Sequence, residues 1–140
     1  MQDKSKVLIL SSAYLPFIGG SELAIKNITE RLPDFEFDLI TARLDKNTSE
    51  YETIGNVSIF RLGGSLSLST FLLPKIFLPI LIFSKATKLL KKNKYIAVHA
   101  YQASGAAGAG WLLKYFYPEL SLVVTLQEGK NLKAQGLLIN

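Results

Sequence analysis

The chain has 140 residues, 49% of them apolar, and a formal net charge of +5, with an isoelectric point near 9.4. That length suffices for one compact domain with its own core and is too short for two. The absence of cysteine excludes disulfides, thiolate catalysis and cysteine metal sites, as suits a reducing compartment, and the basic balance is not accompanied by an Arg/aromatic pattern that would point to nucleic acid.

The chain opens with MQDKSK and the apolar run VLIL, which Ser11 and Ser12 interrupt at once. This is too short for a signal-peptide core, so a cytoplasmic location is expected. Val7 to Leu10 reads as a strand covered on both faces. A Tyr/Pro/Gly loop from Tyr14 to Gly20 leads into a helix from Ser21 to Leu32, with Ala24, Ile28 and Leu32 as its apolar stripe and Pro33 as its stop. Gly19 and Gly20 would let the backbone take positive φ and approach a ligand closely, and the first amides of the helix lack intrahelical partners. Such a place can hold a diphosphate, sulfate or carboxylate; the plainer reading is a strand-to-helix turn with no ligand. Neither G-x-G-x-x-G nor G-K-[ST] is present, so it is neither the dinucleotide fingerprint nor a P-loop.

Phe35 to Ala42 reads as a second strand, Leu44 to Gly55 as a polar loop, and Val57 to Leu62 as a third strand, broken by Gly63-Gly64. The sequons at Asn27, Asn47 and Asn56 read as accidental in a cytoplasmic chain. Phe71 to Phe83 is very apolar, though Pro74, Lys75 and Pro79 interrupt it, and its 13 residues are too few to span a bilayer as a helix. Beyond it, Leu78, Leu81, Ile82, Leu89 and Leu90 share a helical face, while Lys85, Lys88, Lys91, Lys92 and Lys94 crowd the following stretch. Two readings of Phe71 to Lys94 stand side by side: a crossover helix packed on the sheet, or contact with an anionic membrane surface.

Tyr95 to His99 reads as a fourth strand, Gln102 to Tyr117 as a small-residue helix able to pack closely on a sheet, and Leu122 to Leu126 as a fifth strand. Alternating strands and helices predict a right-handed parallel α/β sheet, in which ligands collect outside the carboxyl ends of the strands. The Tyr14 to Gly20 loop, His99 with Tyr101, and Gln127 with Glu128 are all expected at that edge.

These residues carry a resemblance. SSAYLPFIGGSELAIKNITERL resembles the start of retaining glycosyltransferases of family 4 of the GT-B class, where Y-x-P-x-x-G-G-x-E follows the first strand. KYIAVHAYQASGAAGAGWLLKYFYPELSLVVTLQEG is similar to the later stretch of that family's N-terminal domain, in which a strand ending in His is followed by a small-residue helix, a proline and a strand leading to T-x-H-G or T-x-Q-[DE]-G. The likeness covers nearly the whole chain in order. It implies a Rossmann-like three-layer parallel sheet, residues 1–140 forming one N-terminal, acceptor-binding domain that lacks its last strands. The donor-binding domain with its E-x7-E motif is then to be supplied elsewhere, by a C-terminal domain or a partner chain, so the chain by itself is expected to be inactive.

The same resemblance assigns Gly19 and Gly20 to the donor diphosphate, their amides stabilising the leaving group. It places Tyr14, Glu22, Tyr101 and Gln102 on the acceptor side; for Glu22, a first-turn carboxylate favoured by the helix dipole is the alternative. His99, Gln127 and Glu128 are the catalytic candidates. His99 has a purely structural alternative, and Gln127, where many family members have histidine, can bond a hydroxyl but cannot take its proton. No D-x-D motif supports a metal; the resemblance implies no cofactor, only a nucleotide-sugar co-substrate and an acceptor that is a glycan or lipid-linked. The competing readings are a non-catalytic, membrane-peripheral binding module and an orphan fragment. An unfinished sheet edge is expected to favour self-association.

Overall fold

The computed structural model describes residues 3–63, 73–101 and 105–126. Among these residues nine elements follow in chain order: β1 (Ser5–Leu10), α1 (Gly20–Arg31), β2 (Phe35–Ala42), β3 (Tyr51–Ile54), β4 (Val57–Leu62), α2 (Leu73–Lys92), β5 (Tyr95–Tyr101), α3 (Gly105–Phe116) and β6 (Leu122–Thr125). The six strands form one sheet in the order β3-β4-β2-β1-β5-β6. Every neighbouring pair is parallel except β3 with β4.

The expected parallel α/β sheet is therefore present, with helices on both faces. Side-chain alternation along the strands divides the core in two. Leu8, Leu10, Ile40, Val98 and Ala100 meet Ile82, Ala86 and Leu89 of α2 and Ala106, Ala109 and Leu113 of α3. Ile9, Leu39, Val57, Ile59 and Tyr101 meet Ile25 of α1 on the other face, where Tyr14 is also buried. The chain leaves β1 for α1 on one side of the sheet and reaches β5 through α2 on the other. The strand order thus reverses between β1 and β5, and the carboxyl ends of these two strands form the crevice where such sheets take ligands.

Four sequence expectations need correction. The segment Leu44 to Gly55 is not all loop: Tyr51–Ile54 pairs antiparallel with β4, and Gly55, at φ +59, makes the hairpin turn. The strand is short and polar, and its exposed side chains gave no alternation to read.

The buried stripe of α1 is Ser21, Ile25 and Thr29, together with Glu22. Ile28 and Leu32, expected inside, stand 41% and 39% exposed. Two hydroxyl residues hid the true stripe: Thr29 is tolerated in the interior because its Oγ1 donates to the Ile25 carbonyl at 2.9 Å.

α2 runs unbroken through Pro79, and Pro74 falls in its first turn, where a missing N–H costs nothing. On this helix Leu81, expected on the packed face, is 38% exposed, and Ala86 is buried in the stripe. Finally, β5 extends two residues past His99, to Tyr101.

The expected close packing of the small-residue helix is met in two places. A methyl group on Gly108 would lie 3.6 Å from Pro79, and one on Gly110 would lie 3.2 Å from Leu122 and 3.4 Å from Ala100.

Candidate functional site

The loop from Ser11 to Gly19 leaves β1 at the crevice and is tied down from three directions. The Ser11 amide donates to the Ile40 carbonyl at 3.0 Å, and the Ser11 hydroxyl donates to the Ala13 carbonyl at 2.6 Å. Tyr14 turns inward and is 5% exposed; burial, with Glu30 adding to it, pushes its phenol above the ordinary value. The Leu15-Pro16 peptide is cis.

From below, Arg61 of β4 donates to the Leu15 carbonyl at 2.9 Å and to the Ser49 carbonyl at 3.1 Å. The same guanidinium is paired with Glu52 of β3 and is almost wholly buried. A charge desolvated to this degree is held by its partners. The group therefore works as a peg that joins the hairpin, the segment before it and the glycine loop. Next to it Leu15, Pro16, Thr48, Ser49, Glu52 and Arg61 line a cleft of about 340 Å³. Arg61 escaped sequence reasoning because an isolated arginine in a strand has no local signature; its buried, inward-facing register was the only available signal.

Gly19 is the N-cap of α1, with φ −132 and no side-chain cap. Among the described residues the positive-φ glycines are Gly55 and Gly63, so the Gly19-Gly20 pair does not use the left-handed backbone expected of it. Its glycine requirement is one of space. A Cβ on Gly19 would come within 2.6 Å of Glu22 Oε2, whereas one on Gly20 would meet nothing within 4 Å. Glu22 stands three residues after the N-cap, is 7% exposed, and accepts from the Ser21 hydroxyl at 3.3 Å. Its carboxylate thus folds back over Gly19 at the positive end of α1, the arrangement that a capping box and the helix dipole both favour.

Across the crevice His99 and Tyr101 project to the α1 side of the sheet. Their rings stack at 4.1 Å, and His99 Nε2 lies 2.6 Å from the Thr125 hydroxyl of β6. Burial lowers the His99 pKa, so the ring is neutral at pH 7, and burial raises that of Tyr101. Tyr101 is 1% exposed and shares its cluster with Tyr14.

The structure therefore gathers the sequence candidates into two groups. Gly19, Gly20 and Glu22 lie at the start of α1; Tyr14, Tyr101 and His99 lie in and beside one buried aromatic cluster behind them. Gln102, Gln127 and Glu128 lie outside the described residues. Among the described residues no three His, Asp or Glu side chains come together as a metal site would require, and no helix is long and apolar enough to cross a membrane.

Comparison with known proteins gives a fold. No protein-family model matches the chain, and no curated protein sequence matches it. Among solved structures it is similar to sucrose-phosphate synthase from Thermosynechococcus elongatus, with a TM-score of 0.64 and 16% sequence identity. The match covers 94% of this chain and 35% of that enzyme, so the chain spans about a third of its structural neighbour's length. The likeness is one of fold: a Rossmann-like, mostly parallel α/β sheet.

Proposed function

We propose that this chain is the acceptor-binding half of a retaining GT-B glycosyltransferase of the family 4 type, which moves a sugar from a nucleoside-diphosphate donor to a glycan or lipid-linked acceptor. One observation carries the reading. The Gly-Gly-Ser-Glu segment opens α1 at the carboxyl end of β1, beside the point where the strand order reverses. An anion approaching there meets the positive end of the α1 dipole and open backbone at Gly20, where a Cβ would touch nothing within 4 Å.

In this reading Gly20 supplies open backbone beside the leaving diphosphate, and its amide stabilises the charge that develops as the glycosidic bond breaks. Glu22 holds the helix start in shape. His99 is neutral and bound to Thr125, so it positions β5 against β6 rather than taking a proton from the acceptor. The nucleotide and sugar are held by a second Rossmann-like domain, and no metal takes part.

The test is sugar transfer from radiolabelled nucleoside-diphosphate sugars by this chain joined to a GT-B donor-binding domain encoded with it. The reading expects transfer by the joined halves with retained anomeric configuration, and none by this chain alone. Inversion at the anomeric carbon, or no transfer from any donor, overturns it.

A further inference from the structure

Charge along this chain is segregated. Between Glu52 and Glu119 the sequence contains no Asp or Glu, while Arg61, Lys75, Lys85, Lys88, Lys91, Lys92, Lys94 and Lys114 all fall in that interval. Both α2 and α3 lie inside it, so this helical layer has cations and no anions.

The two helices lie side by side and run the same way. Pro79 of α2 faces Gly108 of α3, and further toward both C-terminal ends the Phe83 ring lies 5.5 Å from that of Phe116. Away from the sheet they present large apolar side chains. Phe77 and Ile80 of α2 are 49% and 53% exposed, and Trp111, Tyr115 and Phe116 of α3 are 65%, 69% and 60% exposed. Trp111 stacks on Tyr115 at 6.0 Å, and Tyr115 meets Phe116 edge-on at 5.3 Å. Lys88 and Lys91 continue the outward line of Phe77, Ile80 and Ser84 toward the end of α2, and both are exposed. Nothing in the core needs these aromatics outside, since Leu113 and Ala109 already seal α3 to the sheet.

We propose that the outer face of α2 and α3 docks on an anionic lipid surface, with Trp111, Tyr115 and Phe116 in the headgroup zone and Lys88, Lys91, Lys92 and Lys94 on lipid phosphates. Trp and Tyr favour that zone because each ring has an apolar body and a polar tip. Basic side chains beside it gain from the negative surface potential. The layer lies on the bilayer and does not cross it, since neither helix is apolar enough to span. Lipid is favoured over nucleic acid because the face is aliphatic as well as aromatic and its cations are all lysines. This inference does not rest on the transferase reading.

Trp111 is the chain's only tryptophan, so its fluorescence reports on this face alone. The full chain is mixed at low salt with vesicles of phosphatidylcholine, or of equal parts phosphatidylcholine and phosphatidylglycerol. The expected result is co-sedimentation with the anionic vesicles only, a blue shift of Trp111 emission, and protection of Trp111 from a water-soluble quencher. Neutralising Lys88 and Lys91 (K88Q, K91Q) should weaken binding about fivefold per charge, and Tyr115→Ser should weaken it without altering the fold. Four results would each overturn the proposal: no binding; equal binding to neutral vesicles; binding that leaves Trp111 open to quencher; or a vesicle-free blue shift that follows protein concentration or added RNA, marking a self-interface or a nucleic-acid surface. A failed transfer assay leaves this result standing, and the reverse holds as well.

Discussion

At the scale of single residues, the two glycines of the loop have different duties, and the difference is measurable. Gly19 leaves room for the Glu22 carboxylate, so Gly19→Ala must displace a buried acid from the helix N-terminus; a loss of about 1–2 kcal/mol is expected, as for a lost cap. Gly20 has open space where a Cβ would go, so Gly20→Ala should leave the melting temperature unchanged or slightly higher. Thermal denaturation of the two variants checks this, and equal destabilisation by both would contradict it. His99 gives a second residue-scale prediction. Its folded pKa is depressed by burial, so below the unfolded value near 6.5 the unfolded chain binds the additional proton. The stability that neutral His99 contributes is present above pH 6.5 and is lost as pH falls through the folded pKa. His99→Gln should flatten the dependence of denaturation midpoint on pH below 6.5, and an unchanged slope would show that His99 is not the group responsible.

At the scale of elements, the corner where α1, β2 and the β3–β4 hairpin meet depends on Asn56. Its two side-chain N–H donors are shared among the Thr29, Leu32 and Phe35 carbonyls, each 3.0 Å from Nδ2, and so close the C-terminal end of α1. With two N–H donors at roughly 1 kcal/mol each, Asn56→Ala is expected to cost about 2 kcal/mol, read from the urea midpoint. A loss below about 0.5 kcal/mol would mean that water replaces the side chain. The same asparagine shows where sequence reading stops. In sequence it is one of three sequons without meaning, because its partners lie 21 to 27 residues away. The long apolar strands, by contrast, were legible: VLIL and the β-branched run of β4 are buried whichever way the sheet is ordered. The short strand β3 was not, since it is held by pairing with β4 and by the Arg61–Glu52 ion pair rather than by any pattern of its own. The α1 stripe was misread for a related reason: Ser21 and Thr29 are interior only because local hydrogen bonds satisfy them.

At the scale of the whole molecule, sheet order decides what the loops can do. The edge where Tyr14, Gly20 and Tyr101 gather was legible from strand–helix alternation, because parallel crossovers leave their carboxyl-end loops on one side. The inward turn of Tyr14 and Tyr101 was not legible, since a tyrosine at a strand end looks the same whether it faces solvent or core. One face of the sheet supports the glycine loop through α1, and the other carries a helical layer whose outer side is cationic and aromatic. The glycine loop and α1 thus lie on the opposite side of the sheet from the cationic, aromatic outer face of α2 and α3.

The most direct measurement is kcat/KM for the nucleoside-diphosphate sugar in the joined enzyme, wild type beside Gly20→Ala. Transfer by the wild type is expected, with a loss of about 10²–10³-fold in the variant at an unchanged melting temperature, because the added methyl group blocks the approach of the diphosphate and not the fold. Equal rates in the two would contradict the assignment of this loop to the donor diphosphate.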